Sequence, residues 1–237
     1  MSIVPRLSIV LPTHNEAANI VPMISAIRKS LHTQKAEDFD YEMVFVDDSS
    51  DTTPDIIRAE SEKDSRIRLI HRPKEERTGL ATAFVRGFTE SRGAYICCLD
   101  SDLQHPPSVI PRLLRTIERT NSDIVVASRY MRGGSAEGLG GAFRKLVSIG
   151  TKYFSQILLS PARQTSDPGS GFFIFKREVI DEVTLDPSGF KILLEILVRG
   201  KYAKVANVPY TFLVRKNEAS KASFAQGIHF LRHVLHL

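Results

Sequence analysis

The chain has 237 residues, 42% of them hydrophobic, enough for one large α/β domain that needs neither disulfides nor a structural metal to hold its core. A net charge of +5 favours anionic partners, and no segment reaches the roughly 18 apolar residues needed to cross a bilayer. The N-terminus lacks a signal-peptide pattern, and the paired Cys97 and Cys98 lie in an apolar run where a disulfide is a poor fit, so the sequence as given reads as soluble or peripheral and kept in a reducing compartment.

Short apolar runs at 7–11, 41–46, 67–70, 94–99 and 123–127 predict buried strands. Helices are predicted between them. Ile20, Met23, Ile24, Ile27 and Leu31 share one helical face, as do Val109, Ile110, Leu113, Leu114 and Ile117. Thr53 before Pro54 predicts a capped helix start, and Pro106 and Pro107 predict another. Strict alternation implies a mainly parallel, Rossmann-like sheet covered by helices on both faces. After Tyr130, a glycine-rich loop at 133–141 precedes a helix from about 143 to 159. A strand at 172–175, a helix at 190–199 and an extended stretch at 203–214 follow. The domain is predicted to span 1–215, with residues 216–237 forming a tail. Phe224, Ile228, Leu231 and Leu235 give that tail amphipathic helical spacing, compatible with a membrane-proximal helix or with one packed on the domain.

In such a sheet, ligands bind at the carboxyl ends of strands. The first end carries Pro12, His14 and Glu16, and the second Val46, Asp47 and Asp48. The fourth carries Asp100, Ser101, Asp102 and Gln104. If that segment stays extended, Asp100 and Asp102 point to one side, and two converging carboxylates repel unless a cation sits between them or one keeps its proton. Oxygen ligands of this kind suit Mg2+ or Mn2+ bridging a diphosphate. An aspartate capping the next helix is the alternative; the second aspartate and the Gln104 amide favour the metal.

The segments LSIVLPTHNEAANI, VFVDDSSDTT, CLDSDLQHP, ASRY, SDPGSGFF and VRKNEASK, in this order, resemble the family 2 glycosyltransferases of the GT-A fold. They are most like its dolichol-phosphate or polyprenol-phosphate mannosyltransferase branch. The resemblance implies that Pro12, His14, Glu16, Val46 and Asp48 hold the nucleotide, although His14 stands where a tyrosine is usual. It places Asp100, Ser101 and Asp102 at the sugar, diphosphate and metal, with Gln104 as a further metal ligand beside Asp102. Arg129, Lys191, Arg215 and Lys221 match basic residues around the diphosphate, and Arg144 and Ser148 match the pair that grips the acceptor phosphate. Asp100, Asp102 and Arg129 are thereby the catalytic set.

A lipid phosphate is already ionised near neutral pH and attacks without a general base. Relatives with hydroxyl acceptors carry a tryptophan-containing QxxRW motif, and this chain has no tryptophan. The expected reaction is inverting transfer of mannose from GDP-mannose to dolichyl or polyprenyl phosphate at the cytoplasmic face of a membrane. A membrane-spanning partner or a further C-terminal membrane segment would assist. A UDP-sugar donor such as UDP-glucose, and a non-catalytic nucleotide-sugar-binding module, stand as alternatives. No interleaved aromatic stripe directs the basic residues to nucleic acid.

Overall fold

The computed structural model describes residues 5–32, 40–186 and 191–215, together with Val234. The first half alternates strand and helix: β1 (Leu7–Thr13), α1 (Ala17–His32), β2 (Tyr41–Asp47), α2 (Thr53–Lys63), β3 (Ile67–His71), α3 (Leu80–Glu90), β4 (Tyr95–Cys98), α4 (Ile110–Thr120) and β5 (Ile124–Ser128). The second half contributes α5 (Ala142–Leu158), β6 (Phe173–Lys176), α6 (Ile192–Arg199) and β7 (Val205–Pro209). The strands form a sheet in the order β3-β2-β1-β4-β6-β5-β7, parallel except that β6 runs antiparallel to both neighbours.

Side-chain alternation along the strands feeds two cores. Leu7, Ile9, Leu11, Met43, Phe45 and Cys97 face α1, α2 and α4. Val10, Val44, Val46, Ile96 and Cys98 face α3 and α6. The neighbouring cysteines therefore point to opposite faces, and burial pushes both thiols well up from their ordinary value. Helix α3 carries no cap signal in the sequence, yet it covers the sheet through Ala81, Phe84 and Phe88.

Two local expectations are corrected. Thr53 does not cap α2, because it lies inside the first turn, where Asp51 accepts its N–H at 2.9 Å. The Thr53 hydroxyl instead accepts the Glu16 N–H at 2.9 Å, tying the β1–α1 loop to α2. The predicted strand through Leu99 ends at Cys98, and Asp100 to Gln104 is a turn that Leu103 enters at φ 64°. Asp100 and Asp102 are therefore brought together by a turn, not by the two-residue repeat of a strand. The tail residues Phe224, Ile228, Leu231, Leu235 and Lys221 lie outside the described residues. Val234 is buried against Leu159, Ala162 and Leu194.

At the end of the sheet away from the strand C-termini, buried Glu42 accepts from the Ser8 hydroxyl (2.7 Å), the Arg92 N–H (2.6 Å) and Arg68 (3.0 Å). Burial alone would raise its carboxyl, but these hydrogen bonds outweigh burial and hold it below its ordinary value. Its charge therefore stabilises the fold above the unfolded value of 4.5, and that contribution fades as pH falls through the lower folded value. Glu42→Gln is expected to cost about 2–3 kcal/mol at pH 7. Urea midpoints of the variant and the parent should converge below pH 4.5.

Candidate active site

Strand β1 pairs with β2 on one side and β4 on the other, so the order of connection reverses between β1 and β4. Such a reversal leaves a crevice beyond the strand ends. Three loops meet there. The Ser101 hydroxyl donates to the Pro12 carbonyl at 2.8 Å, joining the β4 turn to β1. Asn15, at φ 57°, accepts the Ser50 N–H at 2.9 Å and joins β1 to β2. Pro12, Val46 and Ser101 are buried beneath these loops and His14 is exposed.

The β2 side carries a polar network. Asp48 is held by Arg72, with Nε on Oδ1 at 2.8 Å and Nη2 on Oδ2 at 2.5 Å. Arg72 is only 2% exposed and also donates to the Thr82 hydroxyl at 2.9 Å. Asp47, fully buried, accepts from Thr13 (2.8 Å) and lies 2.6 Å from Nδ1 of His71. Arg77 donates to Nε2 of His71 at 2.9 Å, so the ring hydrogen sits on Nδ1 and is given to Asp47. Asp48 is thus fixed with spare lone pairs facing the crevice, fit to accept from a hydroxyl or an N–H.

On the β4 side, Asp102 accepts its own turn's Gln104 N–H at 3.0 Å and caps no helix. Burial raises both aspartates above the ordinary carboxylate range, and Asp100 raises Asp102 further. Lys191, Arg215 and Arg129 oppose the shift at Asp100. Arg215 bridges the two loops, 2.8 Å from Glu16 and 3.2 Å from Asp102. The Gln104 amide donates to the carbonyls of Leu213 (2.9 Å) and Gly138 (3.3 Å), pinning the segment that delivers Arg215. A side chain at Gly138 would strike the Leu213 carbonyl, so the glycine there is required for that approach.

His105, which the sequence did not single out, accepts the Asp100 N–H on Nδ1 at 3.2 Å. It is boxed by Phe172, Tyr210 and Phe212, with ring centroids within 5.8 Å, and burial pulls it down to about 4. The neutral ring thus orients Asp100. A Cβ at Gly171 would sit 3.1 Å from that ring and 3.4 Å from Asp100. The glycine of the SDPGSG segment is there for close approach.

Arg129 is buried against Asp167 in a two-point pair, both contacts 2.8 Å. Lys191 donates to the Gly169 carbonyl at 2.8 Å. Arg129, Lys191 and Ser148 line one cleft together with Thr151, Lys152 and Ser155. Arg144 lies one turn before Ser148 on α5 and is exposed. Most of the predicted residues are therefore gathered around one crevice, with Arg144 outside the cleft and Lys221 outside the described residues. The sequence missed Arg72, His71, Arg77, His105 and Lys152. Arg72 follows β3 directly, where the strand-end rule could have found it, and Lys152 is four residues beyond Ser148 on the same helix.

The profile of the glycosyl transferase family 2 matches residues 8–184, which contain both aspartate loops. The chain belongs to glycosyl transferase family 2. Within it, the chain is 41% identical over 233 residues to a dolichol-phosphate mannosyltransferase of Pyrococcus furiosus, an alignment covering 98% of this chain and 63% of that protein. Its fold is also similar to that of solved structures. One is glucosyl-3-phosphoglycerate synthase of Mycobacterium tuberculosis with Mn2+, UDP and glucosyl-3-phosphoglycerate, at TM-score 0.64 and 20% identity over 98% of this chain and 77% of that one. Another is a mannosyltransferase of Pyrobaculum calidifontis with GDP-Man and Mn2+, at TM-score 0.57 and 17% identity over 99% of this chain and 63% of that one.

Proposed function

We propose that this chain is the catalytic domain of an inverting transferase that moves mannose from GDP-mannose to dolichyl or polyprenyl phosphate, using Mg2+ or Mn2+. The observation that carries this reading is the meeting of Asp100 and Asp102 with Arg215 at the reversal point of the sheet. The likeness to the Pyrococcus furiosus protein supports the sugar and the acceptor. The Mn2+ and GDP-Man of the Pyrobaculum calidifontis protein support the metal and the donor.

The donor set fits a hard divalent cation. Asp102 lies next to Asp100, and a hard ion is commonly held by one or two carboxylates, with water and substrate phosphates completing its shell. Asp102 would hold it, with the Gln104 carbonyl oxygen beside it. When bound, it neutralises charge on the departing diphosphate. The chain's own groups do the rest: Asp48 fixes the nucleoside end, and Arg215 and Lys191 receive the phosphates. His105 keeps Asp100 aimed at the sugar.

Three of the carboxylates around the crevice are held by cations, Asp48 by Arg72, Asp167 by Arg129 and Glu16 by Arg215, which makes each a weak base. That favours an acceptor that arrives ionised. A membrane surface fits the outer side of α5, where Leu146, Tyr153 and Ile157 are 67%, 56% and 71% exposed beside Arg144 and Lys145. No helix among the described residues is long and apolar enough to cross a membrane. The cytoplasmic leaflet, anionic and facing the nucleotide-sugar pool, is the surface this basic helix suits.

Purified protein with Mn2+, radiolabelled GDP-mannose and a short polyprenyl phosphate is expected to yield β-linked mannosyl phosphate. An α-linked product, or transfer from UDP-glucose alone, would overturn the reading.

Lys191 adds a pH signature. Burial, with Arg129 beside it, pulls its ammonium down to about 8, against the opposing charges of Asp167 and Asp100. Above that pH the free protein must take up a proton to bind an anionic donor. Donor affinity is expected to weaken by up to about tenfold per pH unit there. Lys191→Arg, which keeps its charge, should flatten the profile of the dissociation constant measured between pH 7 and 9.5.

A further inference from the structure

We infer that Lys152 is a further ligand for the acceptor's phosphate, and that Tyr130 is the residue that positions it together with Ser148. The inference rests on a lipid phosphomonoester as acceptor and names the groups inside the cleft that receive it.

The cleft holds three cations, and two are already engaged. The Arg129 guanidinium spends two N–H groups on Asp167, and the Lys191 ammonium donates to Gly169. Lys152 forms no ion pair among the described residues, and its helix α5 contains no acidic residue that could supply one. Its ammonium stands 5.4 Å from the centroid of the Tyr130 ring and 5.0 Å from that of Tyr153. Aromatic faces hold a cation in place without neutralising it.

The hydroxyls of the cleft sort themselves in the same way. Thr151 donates to the Ser148 carbonyl at 3.0 Å, and Ser155 donates to the Lys152 carbonyl at 2.8 Å, so both spend their hydrogens on the helix. Ser148 differs. The Tyr130 hydroxyl donates to its Oγ at 2.6 Å, so the hydrogen of Ser148 is left to point elsewhere. Tyr130 therefore acts on both partners, its ring under Lys152 and its hydroxyl on Ser148. A phosphate oxygen in the cleft meets an unneutralised ammonium and a free O–H donor side by side. Arg144, Ser148 and Lys152 follow at i, i+4 and i+8 on one face, from the exposed mouth inward. An incoming phosphate would pass from Arg144 to Lys152.

The test is calorimetric titration of the purified chain with farnesyl phosphate in the absence of donor, with farnesol and inorganic phosphate as separate arms. Thermal melts check that each variant is folded. Lys152→Gln is expected to weaken farnesyl phosphate binding by about tenfold or more, the worth of one charge-assisted hydrogen bond. Lys152→Arg should restore most of it. Tyr130→Phe, which keeps the ring and loses the O–H donor, should fall between them. Unchanged affinity in Lys152→Gln, or no binding of farnesyl phosphate by the parent protein, overturns the assignment. Inorganic phosphate binding as tightly as farnesyl phosphate would assign the cleft to free phosphate and overturn the lipid acceptor. Lys152-dependent binding without any mannose transfer would leave this site standing and sink the transferase reading instead.

Discussion

Asp102→Asn is expected to lower turnover with GDP-mannose by about a thousandfold, the scale seen when a group stabilising transition-state charge is removed. The asparagine keeps the shape of the turn and accepts the Gln104 N–H as before, so the loss falls on charge. Asp102 is nine-tenths buried, next to a second carboxylate, and both are held above the ordinary range by burial. At neutral pH that charge opposes folding. Losing it offsets the loss of the 3.2 Å contact with Arg215. The melting temperature of Asp102→Asn should therefore equal or exceed that of the parent while activity collapses. A variant that lost activity only in proportion to lost stability would show that Asp102 holds the turn and does no chemistry. Donor binding, followed with and without Mn2+, completes the measurement: the metal should strengthen it in the parent and have little effect in the variant.

The sheet was legible in the sequence because strands buried on both faces are written as mainly apolar runs. Leu7 to Leu11 is interrupted only by Ser8 and Tyr41 to Val46 only by Glu42. Helices α1 and α4 were legible because each lays one apolar stripe on the sheet. The antiparallel direction of β6 was not, since Phe173 to Lys176 is as apolar as its parallel neighbours and nothing local encodes direction. Of the site, motif order identified the residues that face the crevice, whose chemistry the reaction constrains. It was silent on those that hold them. Arg72 and His105 act through Asp48 and Asp100, and their partners lie 24 and 5 positions away in the chain. A buried arginine after a strand and a histidine before two prolines read as ordinary loop residues until the fold supplies the partner. Gln104 shows the same mixture. Its place in the motif pointed to a metal ligand, and the structure adds a separate use for its amide nitrogen, holding Leu213 and through it Arg215.

Asp167→Ala should cost about 3–5 kcal/mol of unfolding free energy, the scale for stranding a buried charge. Asp167 is 1% exposed, accepts both Nε and Nη2 of Arg129 at 2.8 Å, and takes the Arg129 backbone N–H at 3.1 Å as well. Burial alone would pull the guanidinium down, but Asp167 outweighs it and holds Arg129 above its ordinary value. Without Asp167 that charge keeps no carboxylate in direct contact among the described residues, and the faces of Tyr130 and Phe212 at 5.2 and 5.6 Å replace it poorly. Arg129→Met removes the charge with the carboxylate left behind, and should cost a similar amount. The double variant should be much less destabilised than the sum of the two, because neither charge is then stranded. Urea denaturation of the four proteins measures this coupling, and additive losses would mean that the pair contributes nothing as a pair. The consequence reaches the chemistry. A guanidinium neutralised by its own carboxylate is a shaped hydrogen-bonding wall with little net charge left for substrate. Arg215, paired with Glu16 and Asp102, is in the same position, so the unpaired positive charge that meets the phosphates must come from Lys191 on the donor side and from Lys152 and Arg144 on the acceptor side.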